Sequence, residues 1–319
     1  MTTEMKLDWL EGTLLGIGIT PILEQLHTLF PDFQELPHGG LGYECSAVVL
    51  QTGRVYWSLL RPRNGVHYSL PPSAIEVSQS DYLSYARWMN VLGTQFTRVD
   101  LAADDTKGIL DMETIRRAVA LEYFVSKAKK KPKEIIDYEG VGRTFYFGRG
   151  QSQTQIRLYD KAAEQHARGK LYVGHWVRVE MQLRAQRADA AVRHILAHPD
   201  DWQPQACGWL LNALDFKTVG ADSNKSRWAT ADWWLEFLAV ASKERLYISR
   251  RVPSIDDVID WLKDQVAPSL LVVQTAIGKD ALSDIANSAA ARLKEKHLRL
   301  IEQGCAYHGV EEAETQSEE

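Results

Sequence analysis

Three segments of this sequence alternate apolar and charged side chains with a period of two. That period confines them to strands of a sheet with one buried face. In Thr97-Arg-Val-Asp-Leu-Ala-Ala-Asp-Asp105, one side presents Val99, Leu101 and Ala103, and the other Arg98, Asp100, Ala102 and Asp104. In Gln155-Ile-Arg-Leu-Tyr-Asp-Lys161, Ile156 and Leu158 oppose Arg157, Tyr159 and Lys161. In Trp176-Val-Arg-Val-Glu-Met-Gln-Leu183, Val177, Val179, Met181 and Leu183 oppose Trp176, Arg178, Glu180 and Gln182. Any antiparallel sheet with one wet face alternates in this way. The polar faces here differ from an ordinary wet face in gathering carboxylates, arginines and a tyrosine flanked by cations, in place of mixed Thr, Lys, Glu and Ser.

The surrounding pattern predicts an α+β fold: an antiparallel-sheet domain over residues 1–187, a mainly helical region over 188–310, and an acidic disordered tail over 311–319. Short strands are expected at 45–50, 55–60 and 65–70, and a hairpin at 143–148 and 155–159. Helices are expected at 78–92 and 111–129, and a basic helix or turn at 161–170. Beyond residue 188, helices are expected at 188–196, 204–214, 231–243, 254–266 and over one long stretch, 268–303. Helical spacing makes Trp233 and Trp234 core residues. No internal repeat is visible in the sequence.

The formal charge of the 319 residues is −5, which taken alone argues against a nucleic-acid partner. Its distribution says otherwise. Residues 1–115 carry 7 basic and 14 acidic side chains, residues 116–187 carry 16 and 7, residues 188–310 carry 14 and 16, and the tail has five glutamates with no cation. The basic segment contains Lys129, Lys130, Lys131, Arg143, Arg149, Arg157, Lys161 and Arg178. A solvated helix end is the plain reading of the lysine run, and a phosphate-rich partner is the reading of the whole segment. No apolar run approaches the roughly 18 residues of a membrane span, and the N-terminus lacks a signal-peptide layout, so no membrane partner and a cytoplasmic location are expected. The three cysteines, Cys45, Cys207 and Cys305, have no disulfide or zinc spacing. No phosphate-binding GxxxxGK[ST] loop occurs.

Carboxylates on neighbouring strands are the hard oxygen ligands that Mg²⁺ or Mn²⁺ takes. Tyr159 between Arg157 and Lys161 would have cations that favour its phenolate and hold a phosphate. These residue types fit metal-assisted attack of a tyrosine on a phosphodiester.

Four motifs in order carry a family resemblance: Thr97–Asp105, Thr144-Phe-Tyr-Phe-Gly-Arg-Gly-Gln-Ser152, Ile156-Arg-Leu-Tyr-Asp-Lys161 and Trp176-Val-Arg-Val-Glu-Met-Gln-Leu-Arg184. The sequence resembles the replication initiation factor (Rep-trans) family of rolling-circle plasmids and filamentous phages, to which some conjugative relaxases are similar. The resemblance implies a nicking domain related to the HUH endonucleases, which cuts one origin strand and leaves a 5′-phosphotyrosyl link and a free 3′-OH. It places the nucleophile on Tyr159, with Arg157 and Lys161 beside it. The metal-binding acids fall on Asp100 and Glu180, with Asp104 or Asp105 as a third. DNA contacts are expected from Arg178, Arg149, Arg143, Lys129, Lys130 and Lys131.

The His-hydrophobic-His triplet of the wider HUH class is absent from this sequence, and His175 is either a nitrogen ligand or a surface residue. Where related turns carry a basic residue this chain has Gly150, so Arg149 is expected to take over the phosphate contact. Tyr123, Tyr138 and Tyr146 are the competing tyrosines. Implied partners are single-stranded or hairpin origin DNA, a host helicase and polymerase, and a second copy in a homodimer. A mobilisation relaxase and a non-catalytic origin-binding regulator are the alternative readings.

Overall fold

The alternating segments become strands, as their period requires. The computed structural model describes residues 4–15, 19–78, 80–128, 131–137, 142–170, 174–239, 243, 244, 246 and 255–308. Lys129, Lys130, Tyr138 and the acidic tail lie outside these residues. The chain divides into two compact units, Met1–Ile248 and Ser249–Glu319, each described by itself.

The first unit holds an α+β fold. Its strands are β1 (Met5–Leu14), β2 (Gln34–Leu36), β3 (Cys45–Val49), β4 (Gly53–Trp57), β5 (Val66–Leu70), β6 (Thr94–Asp105), β7 (Phe124–Ser126), β8 (Lys133–Asp137), β9 (Gly142–Phe147), β10 (Thr154–Asp160), β11 (Val177–Arg184) and β12 (Leu214–Phe216). Its helices are α1 (Ile19–Leu29), α2 (Pro72–Glu76), α3 (Tyr82–Val91), α4 (Met112–Ala120), α5 (Lys161–Ala167), α6 (Gln186–Ala197), α7 (Trp202–Ala213) and α8 (Asp232–Leu238). Ten strands form one sheet in the order β2-β3-β4-β5-β1-β6-β11-β10-β9-β8, and each pairing is antiparallel. β7 and β12 form a separate pair.

That order is the same read inwards from either edge. β1-α1-β2-β3-β4-β5 is followed by β6-α4-β8-β9-β10-β11, and in each half the last strand returns beside the first. The halves meet at the antiparallel pair β1/β6, with Trp9 opposite Asp100 at the pseudo-twofold axis. A structural repeat is therefore present that the sequence does not display. Its fixed points are strand parity and pairing, which many residue combinations satisfy.

The apolar face carries Leu10, Leu14, Val55, Tyr68, Val99, Leu101, Phe145, Leu158, Val179 and Met181, all at 0% or 1% exposure. Ala188, Val192 and Ile195 of α6 and Ala206 and Leu210 of α7 join the same buried cluster. The change from sheet-rich to helical sequence at residue 187 thus falls inside the first unit. Trp234 is fully buried, stacking on Phe237 at 5.6 Å and meeting Phe216 edge-on.

Aspartates start three of the helices. Asp81, Asp111 and Asp160 each accept a backbone N–H from three residues ahead, from Ser84, Thr114 and Ala163, at 2.8 Å. Helix α4 stops at Ala120, well short of the expected 129. Glu122 adopts φ 56°, the Tyr123 N–H returns to the Ala118 carbonyl at 2.7 Å, and the chain enters β7. In the second unit the expected helix 254–266 is α9 (Ile255–Trp261) continued by a π-helical turn, Leu262–Val266, just ahead of Pro268, which has no N–H to give. The expected long helix 268–303 is three: α10 (Ala267–Ile277), α11 (Asp280–Asn287) and α12 (Glu295–His308). Gly278 at φ 111° ends the first.

Asp105 belongs to this scaffold. It is 3% exposed and accepts the backbone N–H groups of Lys107 at 2.9 Å and Leu110 at 2.6 Å, and His175 Nε2 lies 3.1 Å from its Oδ2. Asp105→Ala removes the acceptor of the buried Leu110 N–H and of the Lys107 N–H and should cost about 3 kcal/mol of stability, measured by urea denaturation.

Candidate active site

Register decides which groups meet on the wet face. β10 and β11 pair with Arg157 opposite Glu180 and Tyr159 opposite Arg178, and β11 and β6 pair with Arg178 opposite Asp104 and Gln182 opposite Asp100. The Tyr159 hydroxyl donates to Glu180 Oε1 at 2.5 Å. The other Glu180 oxygen accepts from the Arg157 guanidinium, whose Nη2 is also 3.8 Å from Asp100 Oδ2. Glu180 and Asp100 are buried, at 2% and 1% exposure, whereas the Arg157 side chain keeps 31%. Arg157 Nε is buried with no hydrogen-bond partner, a donor left over for a ligand oxygen. Asp160, the next residue of the motif, is the cap of α5, so the helix fixes the end of β10 directly after the tyrosine.

A second cluster adjoins the first. Asp104 accepts from Arg178 Nε at 2.6 Å, Trp176 Nε1 at 2.8 Å and Lys6 Nζ at 2.6 Å. Arg178 also donates to both oxygens of Asp8 at 3.2 Å. Asp8 reaches this face through a register shift of β1 between Leu7 and Trp9, the bulge that re-aims a side chain beside a site. A cavity of about 930 Å³ opens over both clusters. Its walls include Lys6, Asp8, Trp9, Glu164, Arg168 and Lys170 besides Tyr159, Arg178 and Glu180.

The electrostatics follow from burial and partners. Burial raises the Tyr159 pKa, and the charge and hydrogen bond of Glu180 raise it further, outweighing Arg178. The phenolate expected from flanking cations is thus not the resting form. Lys161 turns to Glu164 and lies 5.5 Å over the Tyr159 ring, while a carboxylate holds the hydroxyl itself. Burial also lifts Asp8 to about 6, with Glu180 adding to the effect and Arg178 opposing it. Burial would raise Asp104 too, but the hydrogen bonds and charge of Arg178, with Lys6 and Trp176, bring it down to about 2.

The sequence-derived site residues divide accordingly. Tyr159, Arg157, Glu180 and Asp100 are brought together, and Lys161 and Arg178 flank them. Asp104 is not joined to the Asp100–Glu180 pair; the two share no donor. Asp105 and His175 bond to each other. Arg143 has the parity of Phe145 and pairs with Glu134. Arg149 lines a separate cavity of about 600 Å³ with Phe147 and Ile156, residues of the apolar face. Lys131 is exposed and pairs with Glu122 at 2.8 Å. Tyr146, opposite Arg157, lines the main cavity, and Tyr123 meets Trp228 edge-on. Asp8 and Lys6 are absent from the sequence-derived set: the alternation Met5-Lys-Leu-Asp-Trp9 spans only five residues before Trp9 and Leu10 stand apolar side by side, too short a run to assign to the sheet.

Among the described residues, no three His, Cys, Asp or Glu side chains are gathered to hold a metal ion. The donors that fit best are Asp100 and Glu180, two buried carboxylates that converge on one guanidinium, with the hard-oxygen chemistry of a Mg²⁺ or Mn²⁺ ligand pair.

Comparison with known proteins assigns this ten-stranded antiparallel sheet to the rolling-circle initiator and relaxase class. A solved structure of the rolling circle replication initiator protein from Geobacillus stearothermophilus matches with a TM-score of 0.64 at 26% identity, covering 74% of this chain and 96% of that one. "Putative DNA relaxase NicK" of Bacillus subtilis (strain 168) is 24% identical over 314 residues, 92% of this chain and 88% of that protein. The sequence profile described as replication initiation factor matches residues 94–287, more than half of the chain. The chain belongs to the replication initiation factor family. Among the described residues, no helix is long and apolar enough to cross a membrane.

The opposite shifts of the two acids make a pH test. Asp8, lifted from 3.8 to about 6, binds its proton more tightly in the folded state. Its contribution to stability is therefore full below pH 3.8 and is lost as pH rises through about 6. Relative to Asp8→Asn, wild-type stability should fall by about 2–3 kcal/mol between pH 4 and 7 in urea denaturation. Asp104 acts in the other direction, below pH 3.8, where its contribution is lost as pH falls through about 2.

Proposed function

We propose that this protein nicks one strand of origin DNA through Tyr159, forming a 5′-phosphotyrosyl intermediate and a free 3′-OH, and later rejoins the strand. The observation that carries this reading is the Tyr159 hydroxyl donating to buried Glu180 at 2.5 Å on the floor of the cavity. In this reading Glu180 is the general base that takes the phenol proton as the oxygen attacks phosphorus. Arg157, with an unpartnered Nε, and Lys161 sit where charge develops on the phosphoryl oxygens. The 3′ oxygen leaves as the phosphotyrosyl bond forms, and attack by a 3′-OH on that bond reverses the step without an external energy source.

Asp100 and Glu180 would hold a divalent ion, Mg²⁺ or Mn²⁺, once Arg157 turns its guanidinium to the phosphate. The ion would supply Lewis-acid polarisation of the scissile phosphodiester. Asp104 acts elsewhere in this reading, holding Arg178 against the cavity wall. Single-stranded or hairpin DNA is the substrate, in the cytoplasm, with a host helicase and polymerase extending the product. The helical region 188–310 serves duplex binding, dimerisation or partner recruitment. A mobilisation relaxase is the second reading, favoured by the similarity to NicK along nearly the whole chain.

The test incubates the protein and Mn²⁺ with labelled supercoiled plasmid bearing the cognate origin. Tyr159→Phe should abolish both nicking and the covalent adduct, a loss of about 10³-fold or more. Arg157→Ala should slow nicking more mildly, about 10²-fold. Tyr159→Phe nicking like wild type would remove Tyr159 as nucleophile. Glu180→Ala with undiminished cleavage across a Mn²⁺ titration would remove Glu180 as base and ligand.

A further inference from the structure

The two halves of the sheet permit a position-by-position comparison of their wet faces. Arg54-Val-Tyr56 on β4 occupies the place of Arg157-Leu-Tyr159 on β10. Arg54 pairs with Ser69 and Tyr56 with His67 of β5, as Arg157 pairs with Glu180 and Tyr159 with Arg178 of β11. On the first strand of each half, Trp9 and Thr13 stand where Asp100 and Asp104 stand. The N-terminal half carries the arginine and the tyrosine, with Ser69 in place of Glu180, Trp9 of Asp100 and Thr13 of Asp104. Its carboxylate on this face is Glu11, opposite Ser69, which accepts from Ser69 Oγ at 3.1 Å and from Trp9 Nε1 at 2.7 Å.

The substitutions change what the groups can do. With Ser69 opposite it, Arg54 has no carboxylate in ion-pair range among the described residues; it donates through Nη1 to the Gly53 carbonyl at 2.9 Å. Tyr56 and His67 stack at 6.1 Å with 28° between planes, and Tyr43 stacks on His67 at 6.3 Å and 14°. All three rings are half-buried, each leaving part of its surface in solvent. Burial lowers the His67 pKa, with the Glu11 carboxylate opposing the effect, and Thr13 Oγ1 lies 3.1 Å from the His67 Nδ1. Exposed Arg61 lies in the loop between β4 and β5, and the Tyr43 hydroxyl donates to the Asn64 carbonyl of that loop at 3.2 Å.

We propose that this vestigial half-site binds the single strand that flanks the scissile phosphate, with bases stacking on Tyr56, His67 and Tyr43 and Arg54 taking a phosphate. The proposal rests on the nicking reading for its substrate. Continuity of the sheet supports that choice of occupant. Tyr56 and Tyr159 lie on the same face, five inter-strand steps apart, or roughly 24 Å. A strand leaving the catalytic cavity over β11, β6, β1 and β5 reaches β4 with no change of surface. Stacking rings and a guanidinium with no carboxylate in ion-pair range among the described residues are the sequence-tolerant equipment for such a strand.

The test measures anisotropy of labelled oligothymidylates of about 6 and about 20 nucleotides, lengths below and above that span. Tyr56→Ala should weaken binding of the longer oligomer about tenfold and leave the shorter within about twofold. Tyr56→Phe, which keeps the ring, should bind like wild type. Arg54→Gln should reduce the slope of log affinity against log salt by about 0.7 for the longer oligomer. His67→Ala supplies a second truncation should Tyr56→Ala not fold by circular dichroism. Wild-type affinity for the longer oligomer in Tyr56→Ala or His67→Ala, with an unchanged salt slope in Arg54→Gln, overturns the proposal. Failure of the nicking reading would appear instead as a missing covalent adduct in wild type, with these affinities unaffected.

Discussion

The Glu180 carboxylate, taken almost wholly out of water on the central strand β11, determines the character of this face. A buried carboxylate needs compensation, and its neighbours supply it: one oxygen receives a guanidinium and the other a phenol. The pair register of β10 and β11 delivers both donors from one strand, two residues apart. The same demand accounts for the elevated pKa of the tyrosine and for the presence of a proton acceptor where a nucleophile needs one. Replacing the acid would leave the Arg157 Nη2 without its nearest carboxylate and Tyr159 without its anchor. Compensation and chemistry are two aspects of a single contact.

The second cluster follows the same rule with different members. Arg178 is buried and is balanced by Asp104 and Asp8. Three charges on three strands, β1, β6 and β11, are thereby locked together across the middle of the sheet. A buried arginine between two acids contributes little net stability, because desolvation consumes much of the attraction. It specifies alignment: a one-residue slip of β11 would send Arg178 to the apolar face.

Much of this was legible in the sequence, for a definite reason. Period-two alternation in Thr97–Asp105, Gln155–Tyr159 and Trp176–Leu183 assigns every residue of β6, β10 and β11 to a face, so Tyr159, Arg157, Glu180 and Asp100 could be placed on one surface. Alternation does not fix the offset between strands, which is why Asp104, of the right parity, proved to answer Arg178 rather than Glu180. Asp8 was hidden because its alternating run, Met5 to Trp9, is short and ends at the paired apolar Trp9 and Leu10. The cap formed around Glu122, with no glycine to mark it, hid the early end of α4. The repeat was hidden because its halves share parity and pairing rather than residues, Arg54-Val-Tyr56 and Arg157-Leu-Tyr159 excepted.

Arg98 sits beside the pseudo-twofold axis and serves both halves. It lies 4.1 Å over the ring of Trp9, donates through Nε and Nη2 to Asp100, and reaches Glu11 at 3.5 Å. Trp9 and Asp100 are symmetry mates with opposite chemistry, and this one side chain is the shared boundary between them. Two copies of a fold can diverge freely only where they do not touch. At the axis they touch by construction, so the specialisation of one half is written into the environment of the other. A change at Trp9 alters the electrostatic surroundings of Asp100 through the guanidinium they share, and the two halves are bound to vary together there.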